Sequence, residues 1–307
     1  MPSLFYRRKP IKGLIVETGN TPIIETIDGL RISAWLKKSL RSQHKNSITS
    51  IALGDMVEYE IESGLAIISA IEKPKSTLCR ESVRSPHRNK ILATNLDQVV
   101  IVLSAGHPET PMGLIDRMIV AAQSGNMKAI LCFNKMDIMD SELEDLSQIY
   151  AGLGYPILKI SAEKHENLNE LLAILKGKKS ILIGLSGVGK TTIIKSLTGK
   201  DLSIADLNIS SQKGCHTTTH SHLYKIEENT YLADIPGIKQ LGFVGKERVD
   251  VYFPEIYASS RNCQYSNCTH TKEENCQVKR DLDLKVIDRR RYDSYLKILE
   301  EIENDFK

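Results

Sequence analysis

Hydrophobic and polar positions alternate in two textures along this chain. Between residues 10 and 72 the apolar residues come as short β-branched runs, at 13–17, 22–27, 31–36, 55–61 and 64–71, separated by Gly, Asn and Asp. Five short strands in so little chain predict a small barrel of the OB or SH3-like kind, with OB the better fit. From residue 96 the period changes. Apolar strands at 98–103, 128–133, 156–160 and around Ile181 interleave with helical patterns at 114–123, 141–153, 168–175 and 190–197. Two more strands follow at 222–226 and 230–233. That alternation predicts a multi-domain α/β protein whose central sheet is doubly wound and mostly parallel. Residues 73–94 are basic with little periodicity and read as a linker; beyond residue 237 the pattern is irregular until an amphipathic helix at 289–304. The expected organisation is a barrel at 1–72, a linker at 73–94, an α/β domain at 95–243, and a C-terminal module with its helix at 244–307.

The 307 residues leave room for two or three domains, and 41% hydrophobic with 26% charged residues is ordinary for a soluble protein. No apolar run approaches the roughly 20 residues of a membrane helix, and the basic start lacks a secretory apolar region. A cytoplasmic monomer with no membrane partner is therefore expected. The net charge of +3 is uneven: residues 1–90 hold 15 Lys and Arg against 9 Asp and Glu. That excess, with a basic loop at 37–46, suits a polyanion, although a solvated basic surface would look the same.

Chemistry concentrates in a few motifs. Gly184-Leu185-Ser186-Gly187-Val188-Gly189-Lys190-Thr191 follows an apolar strand and opens a helix. This is the phosphate-binding loop: glycines let backbone N–H groups converge on phosphate oxygens, and the helix directs its positive end at the anion. Lys190 supplies a cation, Thr191 a Mg²⁺ ligand, and Thr192 a second hydroxyl. Asn134-Lys135-Met136-Asp137 ends a strand about fifty residues earlier. A carboxylate at Asp137 accepts from both N1–H and N2–H₂ of guanine, whereas adenine presents a lone pair there, so the tetrad selects GTP. Asn134 suits the other edge of the base, and the Lys135 stem the ring face. Ser161-Ala162, at the end of the next strand, can present backbone N–H to guanine O6. Asp234-Ile235-Pro236-Gly237 closes another strand, with its carboxylate placed for Mg²⁺ through water and the Gly237 N–H for the γ-phosphate. Among Thr217, Thr218 and Thr219, Thr218 is the favoured switch ligand to Mg²⁺. Ile238 stands where many GTPases carry a water-orienting Gln, so His216 and His220 become candidates to orient water, beside the alternative that they only pack or bind a partner.

The guanine tetrad precedes the phosphate loop, the reverse of the usual order, so the domain is expected to be circularly permuted. Cys263, Cys268, His270 and Cys276 put three thiolates and an imidazole within 14 residues, a full tetrahedral set for a closed structural Zn²⁺. That stretch is poor in apolar residues, so coordination would supply its folding energy. Cys79, Cys132 and Cys215 are isolated, and Cys132 reads as a buried strand residue.

The order tetrad, Ser-Ala, phosphate loop, His216-Thr217-Thr218-Thr219-His220 and DxxG, between a β-barrel and a Cys₃His cluster, resembles the circularly permuted, ribosome small-subunit-dependent GTPases of the RsgA/YjeQ family. Asn95-Leu96-Asp97-Gln98 and Arg291-Tyr292-Asp293-Ser294-Tyr295-Leu296 extend the likeness nearly end to end. The resemblance implies hydrolysis of GTP to GDP, stimulated by the small subunit late in its maturation, with the barrel and zinc module contacting rRNA. Two positions depart from the family pattern: Thr191-Thr192 replaces a frequent Ser-Ser and keeps the metal hydroxyl, and Cys215 replaces a frequent Arg. Permutation also leads the segment after Gly237 toward the zinc module, so movement at the γ-phosphate would be passed to that module. The competing readings are an ATP-using P-loop enzyme, disfavoured by Asp137; an RNA-binding module that only holds nucleotide; and a zinc nuclease, disfavoured because four protein ligands leave no open position.

Overall fold

Five strands curl into a closed barrel at the start of the chain: β1 (Ile11–Thr18), β2 (Ile23–Thr26), β3 (Arg31–Leu36), β4 (Met56–Glu62) and β5 (Leu65–Ile71). The computed structural model describes residues 10–19, 21–37, 39–40, 51–80, 90–138, 141–199, 221–235, 241–244 and 248–305. The barrel order is β1-β2-β3-β5-β4, closed by a β1–β4 pair, with β3 and β5 parallel and the other pairs antiparallel. Its OB-like interior is filled by Ile15, Ile24, Ala34, Val57, Tyr59, Ala66 and Ile68, the inward residues of each run. Most of the 37–46 loop lies outside the described residues.

The stretch expected as a linker is ordered in part. It carries β6 (Thr77–Arg80) and β7 (Lys90–Thr94), an antiparallel pair joined by β14 (Leu241–Gly242) into a three-stranded sheet. Four- and five-residue strands among lysines leave too short a period to read from sequence.

The α/β domain follows the expected alternation. Its elements are β8 (Gln98–Ser104), α1 (Met112–Ser124), β9 (Lys128–Asn134), α2 (Ser141–Gly152), β10 (Ile157–Lys159), α3 (Leu168–Leu175), β11 (Lys179–Ile183), α4 (Lys190–Thr198), β12 (Ser221–Glu227) and β13 (Thr230–Asp234). The strand order is β10-β9-β8-β11-β13-β12, parallel except for β12 at the edge. Every residue of β8 is buried, because helices cover both faces of the sheet. Val99, Ile101 and Leu103 face a core shared with α1 and α2; Val100 and Val102 face the opposite one, shared with α3 and α4.

β12 also pairs with β1, matching Glu17 to His222 and Thr18 to Ser221, so the barrel and the α/β sheet form one ladder of eleven strands. Beyond residue 244, where no regular structure was expected before the last helix, a 3₁₀ turn (Val249–Tyr252) leads to α5 (Pro254–Ser260), α6 (Gln277–Asp283) and the long α7 (Arg289–Asp305). This module packs its own core of Phe253, Ile256, Val278, Ile287, Tyr292, Tyr295 and Ile298 on Val120 of α1.

Candidate functional site

The phosphate loop runs from the buried end of β11 into α4. Two of its glycines are sterically required. A Cβ on Gly184 (φ +148°) would stand 2.3 Å from the Val102 carbonyl oxygen, and one on Gly189 (φ +97°) 2.2 Å from Asn134 Nδ2. The second clash exists because Asn134 is driven against the loop. Its Nδ2 donates to the Val188 carbonyl at 2.9 Å, and its Oδ1 accepts from Ala162 N–H at 3.0 Å. Asn134 is buried, so these bonds lock the tetrad, the phosphate loop and the Ser161-Ala162 turn together across a dry interface. Segments separated by about fifty residues in sequence thus meet at one point.

This arrangement refines the expected roles. Asn134 spends one amide N–H and its Oδ1 on the three loops, a task beyond the base edge expected of it. Both backbone N–H groups expected to face guanine O6 have protein partners, Ala162 with Asn134 and Ser161 with the Glu166 carbonyl at 3.2 Å. Asp137 stands ready as an acceptor. Ser161 Oγ donates to its Oδ1 at 2.7 Å, and this bond, with Lys164 nearby at 3.5 Å, holds the carboxyl below its ordinary value and so ionised. Lys135 takes a left-handed backbone (φ +61°) and donates its Nζ to the His107 carbonyl at 3.1 Å, beside Met136. Lys190 folds over its own loop, donating to the carbonyls of Gly184 (2.9 Å) and Leu185 (2.7 Å). Burial pulls its pKa down while Asp234 opposes the shift. Thr191 and Thr192 are exposed at the start of α4.

Asp234 ends β13 partly buried; desolvation raises its pKa, against attraction from His222 and Lys190. A partly buried carboxylate that attracts Lys190 of the phosphate loop suits a Mg²⁺–nucleotide, because the cation relieves the cost of burying the charge. Thr218, His216, His220 and Gly237, with Ile238 and Cys215, lie outside the described residues.

The four predicted zinc ligands come together. Their donor atoms lie within 4.8 Å of one another, with Cys263 Sγ 3.8 Å from Cys276 Sγ and His270 Nδ1 3.6 and 3.4 Å from those two sulfurs. Tetrahedral bonds of about 2.3 Å place sulfurs about 3.8 Å apart, so the cluster fits one structural Zn²⁺. Sequence spacing did not reveal the support around it. Asp250 Oδ2 lies 3.8 Å from His270 Nε2, and Arg248 grips Asp250 at 3.0 and 2.6 Å while donating to the Ser266 carbonyl at 2.6 Å. Burial works against the Asp250 charge, but His270 and Arg248 hold its pKa near 2. Tyr292 and Tyr295 of α7 donate to the carbonyls of His270 (2.5 Å) and Thr269 (2.8 Å). Cys79 and Cys132 are buried away from the cluster, and burial pushes the Cys132 thiol up to about 12.

A second buried assembly joins the zinc module to the α/β domain. Arg291 on α7, 1% exposed, binds Glu255 at 2.7 and 3.2 Å and pairs with Asp116 of α1. Tyr150 also donates to Asp116, at 2.6 Å, and the guanidinium lies 4.6 Å from the Phe253 ring centre. Arg291 opens the Arg291–Leu296 segment of the last helix, but nothing in the sequence pairs it with Asp116, 175 positions away.

Comparison with known proteins agrees with this geometry. The RsgA GTPase family model matches residues 71–244. The small ribosomal subunit biogenesis GTPase RsgA of Bacteroides fragilis is 36% identical over 302 residues, covering 95% of this chain and 97% of that protein. The crystal structure of YjeQ from Thermotoga maritima superposes with a TM-score of 0.74 at 30% identity, covering 96% and 99% of the two chains. YloQ, described as a circularly permuted GTPase, gives 0.70 at 25% identity, covering 99% and 98%. With a barrel ahead of its guanine tetrad and the tetrad ahead of its phosphate loop, the chain belongs to the RsgA GTPase family and is a circularly permuted GTP hydrolase.

Proposed function

We propose that the chain hydrolyses GTP to GDP and phosphate on the small ribosomal subunit, as a cytoplasmic, monomeric factor acting late in that subunit's biogenesis. Relatives across nearly its full length are named small ribosomal subunit biogenesis GTPases. The observation that carries the nucleotide reading is Asn134, whose two hydrogen bonds bring the tetrad to Val188 of the phosphate loop and to Ala162.

In this reading Asp137 selects guanine, Lys135 and Met136 flank the base, and the 184–189 backbone with Lys190 holds the phosphates. Thr191, Thr218 and Asp234 hold Mg²⁺, directly or through water, and the metal supplies charge neutralisation for phosphoryl transfer. Gly237 senses the γ-phosphate. Water is oriented by His216 or His220 once the ribosomal partner arranges them, since Ile238 offers no polar group. The working divisions are a barrel to about residue 72, a GTPase domain over 95–243 with 73–94 leading into it, and a zinc module from 244. The barrel and the zinc module face rRNA. The segment leaving the second switch reaches Arg248 and Asp250, so GTP-dependent movement there passes to the zinc loop.

Turnover measured with and without purified small subunits tests the proposal. Subunits should accelerate GTP but not ATP hydrolysis, and equal ATP turnover sinks it. Asp137→Asn replaces an acceptor with a donor, so its preference should move from guanine to xanthine, which carries a carbonyl at the 2-position.

A further inference from the structure

Glu17, His222 and Asp234 form a row across three neighbouring strands. The registers set Glu17 opposite His222 in the β1–β12 pair, and His222 opposite Asp234 in the β12–β13 pair. Directly opposed residues of antiparallel strands project to one face with Cβ atoms about 5 Å apart. All three side chains therefore stand together, and the Glu17 carboxylate reaches His222 Nδ1 at 3.6 Å. One step along the same face, Tyr224 stacks on the imidazole with ring centres 5.9 Å apart and planes 24° from parallel. The imidazole is thus held by the barrel on one side and by its own strand along its face. Asp234, beside Lys190, is its neighbour across the remaining strand, and attraction from His222 opposes the cost of burying that carboxylate.

We propose that His222 is a positioning residue for Asp234, and that the barrel, through Glu17, thereby helps to build the Mg²⁺–GTP site. The proposal rests on the reading of Asp234 as a Mg²⁺-side carboxylate. A carboxylate that serves a metal through water must keep a fixed orientation, and residues behind such ligands change metal affinity by about 10–100-fold. Two members of the row are not legible in the motifs: His222 follows the switch histidines without belonging to them, and Glu17 lies in another domain 205 positions away. The metal carboxylate is thereby tied through one imidazole to a barrel strand that shares two register pairs with the sheet.

The test uses the full-length chain, with Mn²⁺ as the paramagnetic probe for the Mg²⁺ position. Binding of a fluorescent GDP is measured in EDTA, and Mn²⁺ binding to the GDP complex by electron paramagnetic resonance. Glu17→Gln and His222→Ala should raise the Mn²⁺ concentration for half-saturation about tenfold while leaving GDP affinity in EDTA unchanged. His222→Gln keeps a side-chain N–H donor and should recover most of the loss. Tyr231→Phe loosens the barrel junction outside the row and should leave Mn²⁺ binding as in the parent. The proposal is overturned if Glu17→Gln and His222→Ala bind Mn²⁺ within about twofold of the parent, or if Tyr231→Phe weakens it as much. An Asp234→Ala variant with parental Mn²⁺ binding overturns the underlying reading of Asp234, and this proposal with it.

Discussion

At the junction between barrel and sheet, β1 and β12 share two register pairs, and the side chains that cross are polar and partly wet. Tyr231 donates to Glu25 Oε1 at 2.5 Å, Arg31 to the Leu223 carbonyl at 3.4 Å, and Glu17 meets a His222 that is a third exposed. At the junction between zinc module and sheet, the crossing group is the buried Arg291, enclosed by Asp116, Glu255, Tyr150 and Phe253. Arg117 of α1 adds an ion pair to Glu301 of α7, while bonding the Leu241 carbonyl at 3.0 Å. The first junction is a backbone ladder trimmed with partly exposed polar contacts, each worth little alone, beside the buried Tyr231–Glu25 bond. The second concentrates its energy in desolvated charge, where removing one partner strands the others. One end of the molecule can therefore be perturbed gently, while the other should fail all at once.

The largest effect should come from removing zinc. Structural Zn²⁺ contributes about 10 kcal/mol or more in small domains. Chelation should abolish amide-exchange protection in α5, α6 and the start of α7 while leaving the barrel strands protected. Equal loss in the barrel would erase the distinction between the junctions. Next is Arg291→Ala, which leaves two carboxylates without their cation and should destabilise the chain by about 3–5 kcal/mol. Its thermal unfolding should split, with the C-terminal module melting first; an unchanged, single transition would refute the buried-charge account.

Tyr231→Phe should cost only about 1 kcal/mol, seen as faster exchange in β1 and β12 and not in α7. Burial, reinforced by the bond to Glu25, pushes the Tyr231 hydroxyl up to about 12, against about 10 unfolded. A raised folded pKa contributes stability that is whole below pH 10 and disappears as pH rises through 12. The parent should therefore lose barrel protection in that window, and Tyr231→Phe should show a smaller loss. Identical alkaline profiles would mean that Glu25 does not hold the hydroxyl.

Much of the architecture was legible because it is local. The runs at 13–17 and 31–36 and the continuous apolar β8 read as strands from period and length, and α3 has the bounds its pattern predicts. The cysteine and histidine spacing also identified its ligands, since four donors within one short segment can meet with few alternatives. The two strands inside 73–94 were not legible: β6 needs both β7 and β14, and β14 is two residues long. The second task of Asn134 was missed for a related reason. A motif states which residue types meet a ligand, but not that the loop behind them needs the same amide to hold it.

From the sequence alone came the nucleotide, the permuted order and the zinc set, because glycine geometry, a carboxylate against guanine and thiolate spacing are properties of short segments. Tertiary structure alone decided which partners meet: Arg291 with Asp116, Asp250 with His270, Glu17 with His222, and His222 opposite Asp234. The helix pairings depend on packing between segments far apart in the chain, and the strand pairings on register, where a shift of one residue would turn Glu17, His222 or Asp234 to the opposite face.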